Sequence, residues 1–378
     1  MTTYFEEIKK NFGFGFMRLP MQDGEVNEKE TRQMVDTFLE NGFNYFDTAH
    51  GYLEGKSELA IKSCLTSRYP RERYVLTNKL TENYFQKEED IRPFFENQLK
   101  WCGVDYFDFY LMHAQNTGNF AKYKRCHAYE TALALKEEGK IKHVGISFHD
   151  RAALLEQILT EYPQIEVVQI QFNYVDYEDP AVESRKCYEV CQKFGKPAIV
   201  MEPVKGGNLV NLPPKAKAIL EELHGGSPAS YAIRFAASFS GIMMVLSGMS
   251  TQEQMEDNLS YMRDFQPLSA KERKAVNEVC AVFNSMHFIP CTACHYCTAG
   301  CPQKILIPDL FACMNTKKIH NYWNAGFYYD NVYTKENGKA SDCIQCGKCE
   351  KVCPQHLEIR KLLVDVANEF EKKKEDDQ

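Results

Sequence analysis

Residues 74–113 read YVLTNKLTENYFQKEEDIRPFFENQLKWCGVDYFDFYLMH, and this stretch decides the fold. Tyr74–Lys79 is a short apolar run ending on polar residues, the composition of a strand. Lys87–Cys102 places apolar residues at helical spacing. Tyr106–His113 is a second apolar and aromatic run. Strand, helix and strand within about 40 residues predict a parallel β-α-β unit, because parallel strands need a crossover and a helix usually supplies it.

The alternation continues outward on both sides. Strands are expected upstream at Phe12–Leu19 and Phe43–Asp47, and downstream at His143–Ser147, Val167–Phe172, Ala198–Met201 and Met243–Leu246. Helical spacing falls between them at Glu28–Asn41, Ser57–Arg68, Tyr123–Glu138, Ala152–Thr160, Pro180–Phe194, Pro228–Ser240 and Thr251–Tyr261. Eight strands alternating with eight helices predict an α/β protein built on a (β/α)8 TIM barrel. A doubly wound sheet is the competing arrangement. It calls for a Gly-x-Gly-x-x-Gly turn after the first strand, and the chain offers only Gly13-Phe-Gly15 inside that strand.

The chain has 378 residues, more than one ordinary core accommodates. Composition changes after Leu268, where cysteine becomes dense. The expectation is a barrel over 1–268 and a second, smaller, mostly helical domain over 269–378. Glu369 to Gln378 is a mixed charge run, read as a solvated helix end.

A net charge of −7 lacks the basic excess of a nucleic-acid binder. No run of 18 apolar residues suggests a membrane span, and the opening MTTYFEEIKKNFGFGF lacks the pattern of a signal peptide. A cytoplasmic setting is therefore expected, with no nucleic-acid or membrane partner. In a reducing compartment, fifteen cysteines are metal ligands, catalysts or small buried hydrophobes rather than disulfides.

Eight of them repeat one spacing, Cys291-x-x-Cys294-x-x-Cys297-x-x-x-Cys301-Pro and Cys343-x-x-Cys346-x-x-Cys349-x-x-x-Cys353-Pro. A thiolate at every third residue lets a tight loop wrap three corners of a cubane, and the fourth is thrown away from that loop. Two structural zinc sites would also use eight cysteines. Zinc ribbons, however, pair Cys-x-x-Cys with a distant Cys-x-x-Cys and lack the third cysteine and the Cys-Pro ending. The segment resembles bacterial two-cluster ferredoxins. That resemblance implies two [4Fe–4S] clusters, one on Cys291, Cys294, Cys297 and Cys353, the other on Cys343, Cys346, Cys349 and Cys301. The 41 residues between Cys301 and Cys343 depart from the pattern and suggest inserted helices. The other seven (Cys64, Cys102, Cys126, Cys187, Cys191, Cys280 and Cys313) read mostly as buried hydrophobes.

In a parallel barrel every strand opens onto one rim at its C-terminal end, and that rim carries the chemistry. Asp47, Lys79 and His113 close three predicted strands, and Tyr52 lies in the loop after Asp47. Singly, each is more simply a cap, a packing group or a structural histidine. Together they make a proton donor for a carbonyl. The Lys79 ammonium is expected to lower the Tyr52 pKa, Asp47 to hold Lys79, and His113 to orient the carbonyl oxygen.

Asp47-Thr-Ala-His-Gly-Tyr52, Thr77-Asn-Lys79 and Leu111-Met-His113 resemble the Asp–Tyr–Lys–His tetrad of the aldo-keto reductases, over about Phe12 to Asn258. The resemblance implies that Ser147 and Gln169 hold a nicotinamide carboxamide. It implies that Gly206 and Gly207, in Glu202-Pro-Val-Lys-Gly-Gly207, approach the pyrophosphate. Ser250, Gln254, Asp257 and Asn258 would hold the adenosine. Phe148 replaces a common Asn, and Met201 stands where an aromatic usually stacks. Ser247–Asn258 contains no Lys or Arg for a 2′-phosphate, so NADP(H) is only preferred over NAD(H). Glu202 and His149 are further candidates to line the site.

The expected function is reduction of a small-molecule carbonyl, or oxidation of an alcohol, with the clusters serving an electron-transfer partner protein. Nicotinamide passes two electrons and a cluster one, so a flavin bound in the barrel is a variant. The alternative is an electron-transfer or redox-sensing protein whose clusters are mainly structural.

Overall fold

The computed structural model describes residues 4–179, 182–286, 288–320 and 324–371, without the side chains at 319, 320, 324 and 327. Positions 180–181, where one predicted helix begins, and most of the charged tail lie outside it.

The chain divides into two compact units, Met1–Val204 with Gly226–Arg273, and Lys205–Gly225 with Lys274–Gln378. In the first, β1 (Phe12–Gly15), β2 (Met21–Gln22) and β3 (Glu25–Val26) precede α1 (Glu28–Glu40) and β4 (Tyr45–Asp47). Then α2 (Lys56–Ile61), β5 (Val75–Leu80), α3 (Glu88–Cys102), β6 (Phe107–Gln115), α4 (Phe120–Arg125), α5 (Ala128–Glu137) and β7 (Ile141–Phe148) follow. Next come α6 (Ala152–Glu161), β8 (Val167–Gln171), α7 (Ser184–Lys193) and β9 (Ala198–Met201). After α8 (Pro214–Glu221) of the second unit, α9 (Pro228–Ala237), β10 (Ile242–Gly248) and α10 (Gln252–Met262) complete the barrel.

Eight parallel strands close in the order β1-β10-β9-β8-β7-β6-β5-β4. All eight expected strands are present. Their inward side chains, among them Tyr45, Phe109, Leu111, Val167, Ile199 and Met244, form one buried cluster, with Phe5 and Ile8 packed against it. Fully burying each such side chain contributes about 1.5–3 kcal/mol. Packing between β7 and β8 leaves no room for a side chain at Gly145, whose Cβ would lie 2.6 Å from the Val167 carbonyl oxygen.

Three local features depart from expectation. Tyr123–Glu138 is not one helix, because His127 takes a left-handed backbone (φ 47°) between α4 and α5. The helix from Ser57 loses α geometry after Ile61 and continues as a π-turn over Lys62–Thr66. The β2–β3 hairpin turns on Asp23-Gly24, both at positive φ, the dipeptide that a tight hairpin favours.

The second unit contains α11 (Ala270–Met286) from Lys274 on, α12 (Ile307–His320), α13 (Asn324–Tyr328), α14 (Lys348–Lys351) and α15 (Ile359–Phe370). Its core gathers Ile305, Leu310, Phe311, Tyr329, Leu363 and Val366, with five of the repeated cysteines packed against the edge. The stretch between the two cysteine runs is helical, as its length suggested.

Candidate functional site

Asp47 ends β4, Lys79 lies at the end of β5 and His113 near the end of β6. Parallel closure brings these ends to one rim. The Lys79 ammonium donates to Asp47 Oδ1 at 2.6 Å and to the Thr48 carbonyl at 2.8 Å, and both charged groups are buried. Burial pushes the Asp47 carboxyl up and the Lys79 ammonium down, while the ion pair opposes both shifts. Removing one partner would strand the other charge in the interior.

Tyr52 opens a short turn in which Leu53 and Glu54 both have positive φ. Its ring faces Lys79 Nζ, 4.7 Å from the centroid, and meets the His113 ring edge-on at 5.9 Å. All four tetrad residues therefore come together. The direction of the Tyr52 shift differs from the expectation. Desolvation raises its pKa well above the ordinary tyrosine value, and the carboxylates of Asp47 and Glu202 raise it further. Lys79 faces the ring and is spent on Asp47, so it does not offset them.

Burial, then the Lys79 ammonium, and last the neighbouring His149, push the His113 imidazole well below its ordinary range. Its Nδ1 lies 2.7 Å from Thr81 Oγ1. The Tyr123 hydroxyl donates to the His113 carbonyl at 3.0 Å and to that of Leu80 at 2.7 Å, tying the ends of β5 and β6. Sequence reading missed Thr81, since a hydroxyl two residues past a strand-end lysine carries no signal of its own. Glu202 and His149 act electrostatically on Tyr52 and His113, as their placement near the site suggested.

Ser147 on β7 and Gln169 on β8 are direct register neighbours, and both are buried. Gln169 Oε1 has no hydrogen-bond partner among the described residues. Buried acceptors are almost always satisfied, so this atom suits a ligand donor such as a carboxamide. Beyond β10, Gln254 Oε1 accepts from the Ser250 amide at 2.8 Å, and Ser227 Oγ donates to Asp257 at 2.7 Å. Asn258 Nδ2 donates to Ser247 at 2.9 Å while Tyr261 donates to its Oδ1, so both ends of that amide brace the segment. Arg18, in the loop after β1, lies against this segment. Its carbonyl accepts from Ser250 Oγ at 2.8 Å, and its side chain passes close to Gly248. Its backbone and the stem of its side chain meet the segment from far away in sequence, a contact no local motif announces. Gly206 and Gly207 belong to the second unit.

In that unit one apolar cavity is lined by Cys301, Cys343, Cys346 and Cys349, with Ile305, Ile307 and Leu363. The remaining four thiols are mutual neighbours. Burial pushes the Cys297 thiol up to about 12, and the charges of Cys294, Cys291 and Cys353 add to this. The eight cysteines therefore group four and four, each group taking one member from the other run. Among the described residues no three His, Cys, Asp or Glu side chains could hold a metal ion. Four thiols around an apolar lining fit the donor set of an iron–sulfur cluster. Of the other cysteines, six are buried and Cys280 is partly so. No described helix is long and apolar enough to cross a membrane.

A closed (β/α)8 barrel whose rim joins a buried Asp–Lys pair, a tyrosine and a neutral histidine defines an oxidoreductase barrel, here in one chain with a cysteine-rich unit. The chain belongs to the aldo/keto reductase family, whose model matches residues 11–281, and residues 290–357 match a 4Fe-4S dicluster domain. An NADH-specific methylglyoxal reductase of Escherichia coli K12 is 26% identical over 273 residues, covering 60% of this chain and 81% of that one. An aldo-keto reductase of Mycolicibacterium vanbaalenii is 26% identical over 258 residues, covering 67% and 85%. Among solved structures, an aldo-keto reductase of Klebsiella pneumoniae in complex with NADPH superposes with a TM-score of 0.59. It has 18% identity and covers 72% of this chain and 95% of that one. A Bacillus halodurans aldo-keto reductase in its holo form gives 0.57 at 23% identity, over 72% and 92%.

Proposed function

We propose that the barrel, over 1–268, reduces a small-molecule carbonyl with a nicotinamide cofactor, and that Tyr52 is the general acid. The convergence of Tyr52, Lys79, Asp47 and His113 on one rim carries this reading. A bound nicotinamide would supply the hydride. Neutral His113, with Thr81 donating to Nδ1, keeps Nε2–H free to hydrogen-bond the carbonyl oxygen. Tyr52 then gives its proton to that oxygen as negative charge develops. The raised pKa keeps the proton on Tyr52 until an oxyanion is there to take it. Lys79, fixed by Asp47 and Thr48, holds its ammonium against the face of the Tyr52 ring and so positions the phenol.

Ser147 and Gln169 are proposed to hold the carboxamide, and Gly206 and Gly207 the pyrophosphate. Ser250, Gln254 and Asp257 would line the adenosine, with Asn258 bracing them. NADP(H) is preferred over NAD(H) on the family resemblance alone. The cysteine-rich domain proposed over 269–378, which Lys205–Gly225 joins in one compact unit, is proposed to carry two [4Fe–4S] clusters on the two thiol groups described. They would exchange electrons with a partner protein, and a barrel-bound flavin would join two-electron and one-electron steps.

A second reading, clusters as a structural clamp, is favoured by the packing of five ligand cysteines against the unit's apolar core. One experiment separates them. The protein is purified anaerobically, its iron, sulfide, zinc and flavin are measured, and NADPH is added with and without methylglyoxal. About eight irons and eight sulfides with cluster bleaching by NADPH supports one electron path. Full clusters that ignore NADPH support the clamp. Nicotinamide oxidation by the wild type that persists in Tyr52→Phe would sink the assignment of the acid.

A further inference from the structure

Four residues past the end of β9 the chain makes a turn, Lys205-Gly-Gly-Asn208, that belongs to the cysteine unit. Asn208 Nδ2 donates to two carbonyls, that of Lys205 at 2.9 Å and that of Cys291 at 3.0 Å. Gly206 (φ 62°) faces Thr292 so closely that a Cβ there would lie 2.4 Å from the Thr292 carbonyl oxygen. Lys205 is 3% exposed, and its Nζ lies 3.5 Å from Gln355 Oε1. Cys291 and Thr292 begin the first cysteine run, and Gln355 stands two residues past Cys353. The turn thus reaches both chain segments that build one thiol group, the group of Cys291, Cys294, Cys297 and Cys353.

We infer that Lys205–Asn208 is a positioning element of this cluster. It fixes the Cys291 backbone through Asn208 and packs on Thr292 through Gly206. It also tethers the Cys353-Pro-Gln355 segment through Lys205. The glycine at 206 is required by the approach of Thr292, whatever else the turn binds, because a backbone carbonyl cannot yield as a flexible side chain can. A Cβ at Gly207 would meet nothing within 4 Å, so the tight approach is particular to Gly206. The inference rests on reading these thiols as cluster ligands. Partners beyond the first ring of ligands typically change metal affinity 10–100-fold when removed.

The test compares anaerobically purified wild type, Asn208→Ala and Gly206→Ala. Iron release to a chelator is followed in time, and the midpoint potentials of the reduced clusters are read by electron paramagnetic resonance. In Asn208→Ala, half of the iron should leave about 10–100-fold faster. The midpoint of that same cluster should shift, with the other half and its signal unchanged. Gly206→Ala should be isolated with about half the wild-type iron. If Gly206→Ala fails to fold, Asn208→Ala, which deletes only two hydrogen bonds, still decides. An Asn208→Ala protein with full iron, wild-type release and both potentials unmoved overturns the inference alone. A wild type containing zinc, or no iron, overturns the cluster reading and the inference with it.

Discussion

At the scale of the residue, the proposed chemistry turns on where the proton of Tyr52 sits. Desolvation, Asp47 and Glu202 raise its pKa well above the ordinary value, so the phenol stays protonated through neutral and moderately alkaline pH. An acid whose pKa is raised keeps its proton as pH rises, so kcat for carbonyl reduction should stay level from pH 7 to 9 in a stopped-flow profile. A fall centred near pH 8 would mean an acidified tyrosine and would refute this account. Tyr52→Phe should lower kcat by about 10²–10⁴-fold while nucleotide affinity is kept. The four tetrad residues were legible in the sequence because they close or follow strands. The sign of the Tyr52 shift was not, because desolvation depends on packing that no local motif encodes. Arg18 and Thr81 were invisible for the related reason that only barrel closure brings them to the site.

At the scale of the element, strands were easier to read than helices. Apolar runs of four to eight residues mark a strand, and their positions survive errors at the ends. The break at His127 had no such marker, since neither glycine nor proline stands there. The start of β8 carries a prediction of its own. Burial works to raise the Glu166 pKa, but hydrogen bonds from His143, Lys136 and the Val144 amide outweigh it and bring it to about 2. His143 reaches Glu7 at 2.8 Å as well, so this carboxylate helps to hold the N-terminal segment. A depressed carboxyl pKa gives stability that is present above about 4.5 and lost as pH falls toward 2. The loss is on the order of 3 kcal/mol. Far-UV circular dichroism melts from pH 5 to pH 2.5 should show the wild-type Tm falling faster than that of Glu166→Gln. Parallel curves would mean that the ion pairs around β7 and β8 contribute nothing.

At the scale of the whole molecule, the two cysteine runs were legible from their repeated spacing. Their grouping came only from the resemblance to two-cluster ferredoxins, because spacing alone, across the stretch between Cys301 and Cys343, does not say which thiols meet. Cys301→Ser removes one corner from the cavity shared with Cys343, Cys346 and Cys349. It should therefore lower the iron of the second group and leave the Cys291 group intact, although Cys301 lies in the first run. Iron analysis with electron paramagnetic resonance would check this, and loss from the Cys291 group would show that each run holds its own cluster. The exchanged fourth cysteine also sets an order of events during synthesis. Cys301 leaves the ribosome about 40 residues before its three companions, and the Cys291 group stays incomplete until Cys353 emerges about 60 residues after Cys291. By then every strand of the barrel has been translated. On the proposed reading neither cluster can be completed until the second run is made, and a message cut short before Cys349 would carry every barrel strand with neither set of thiols complete.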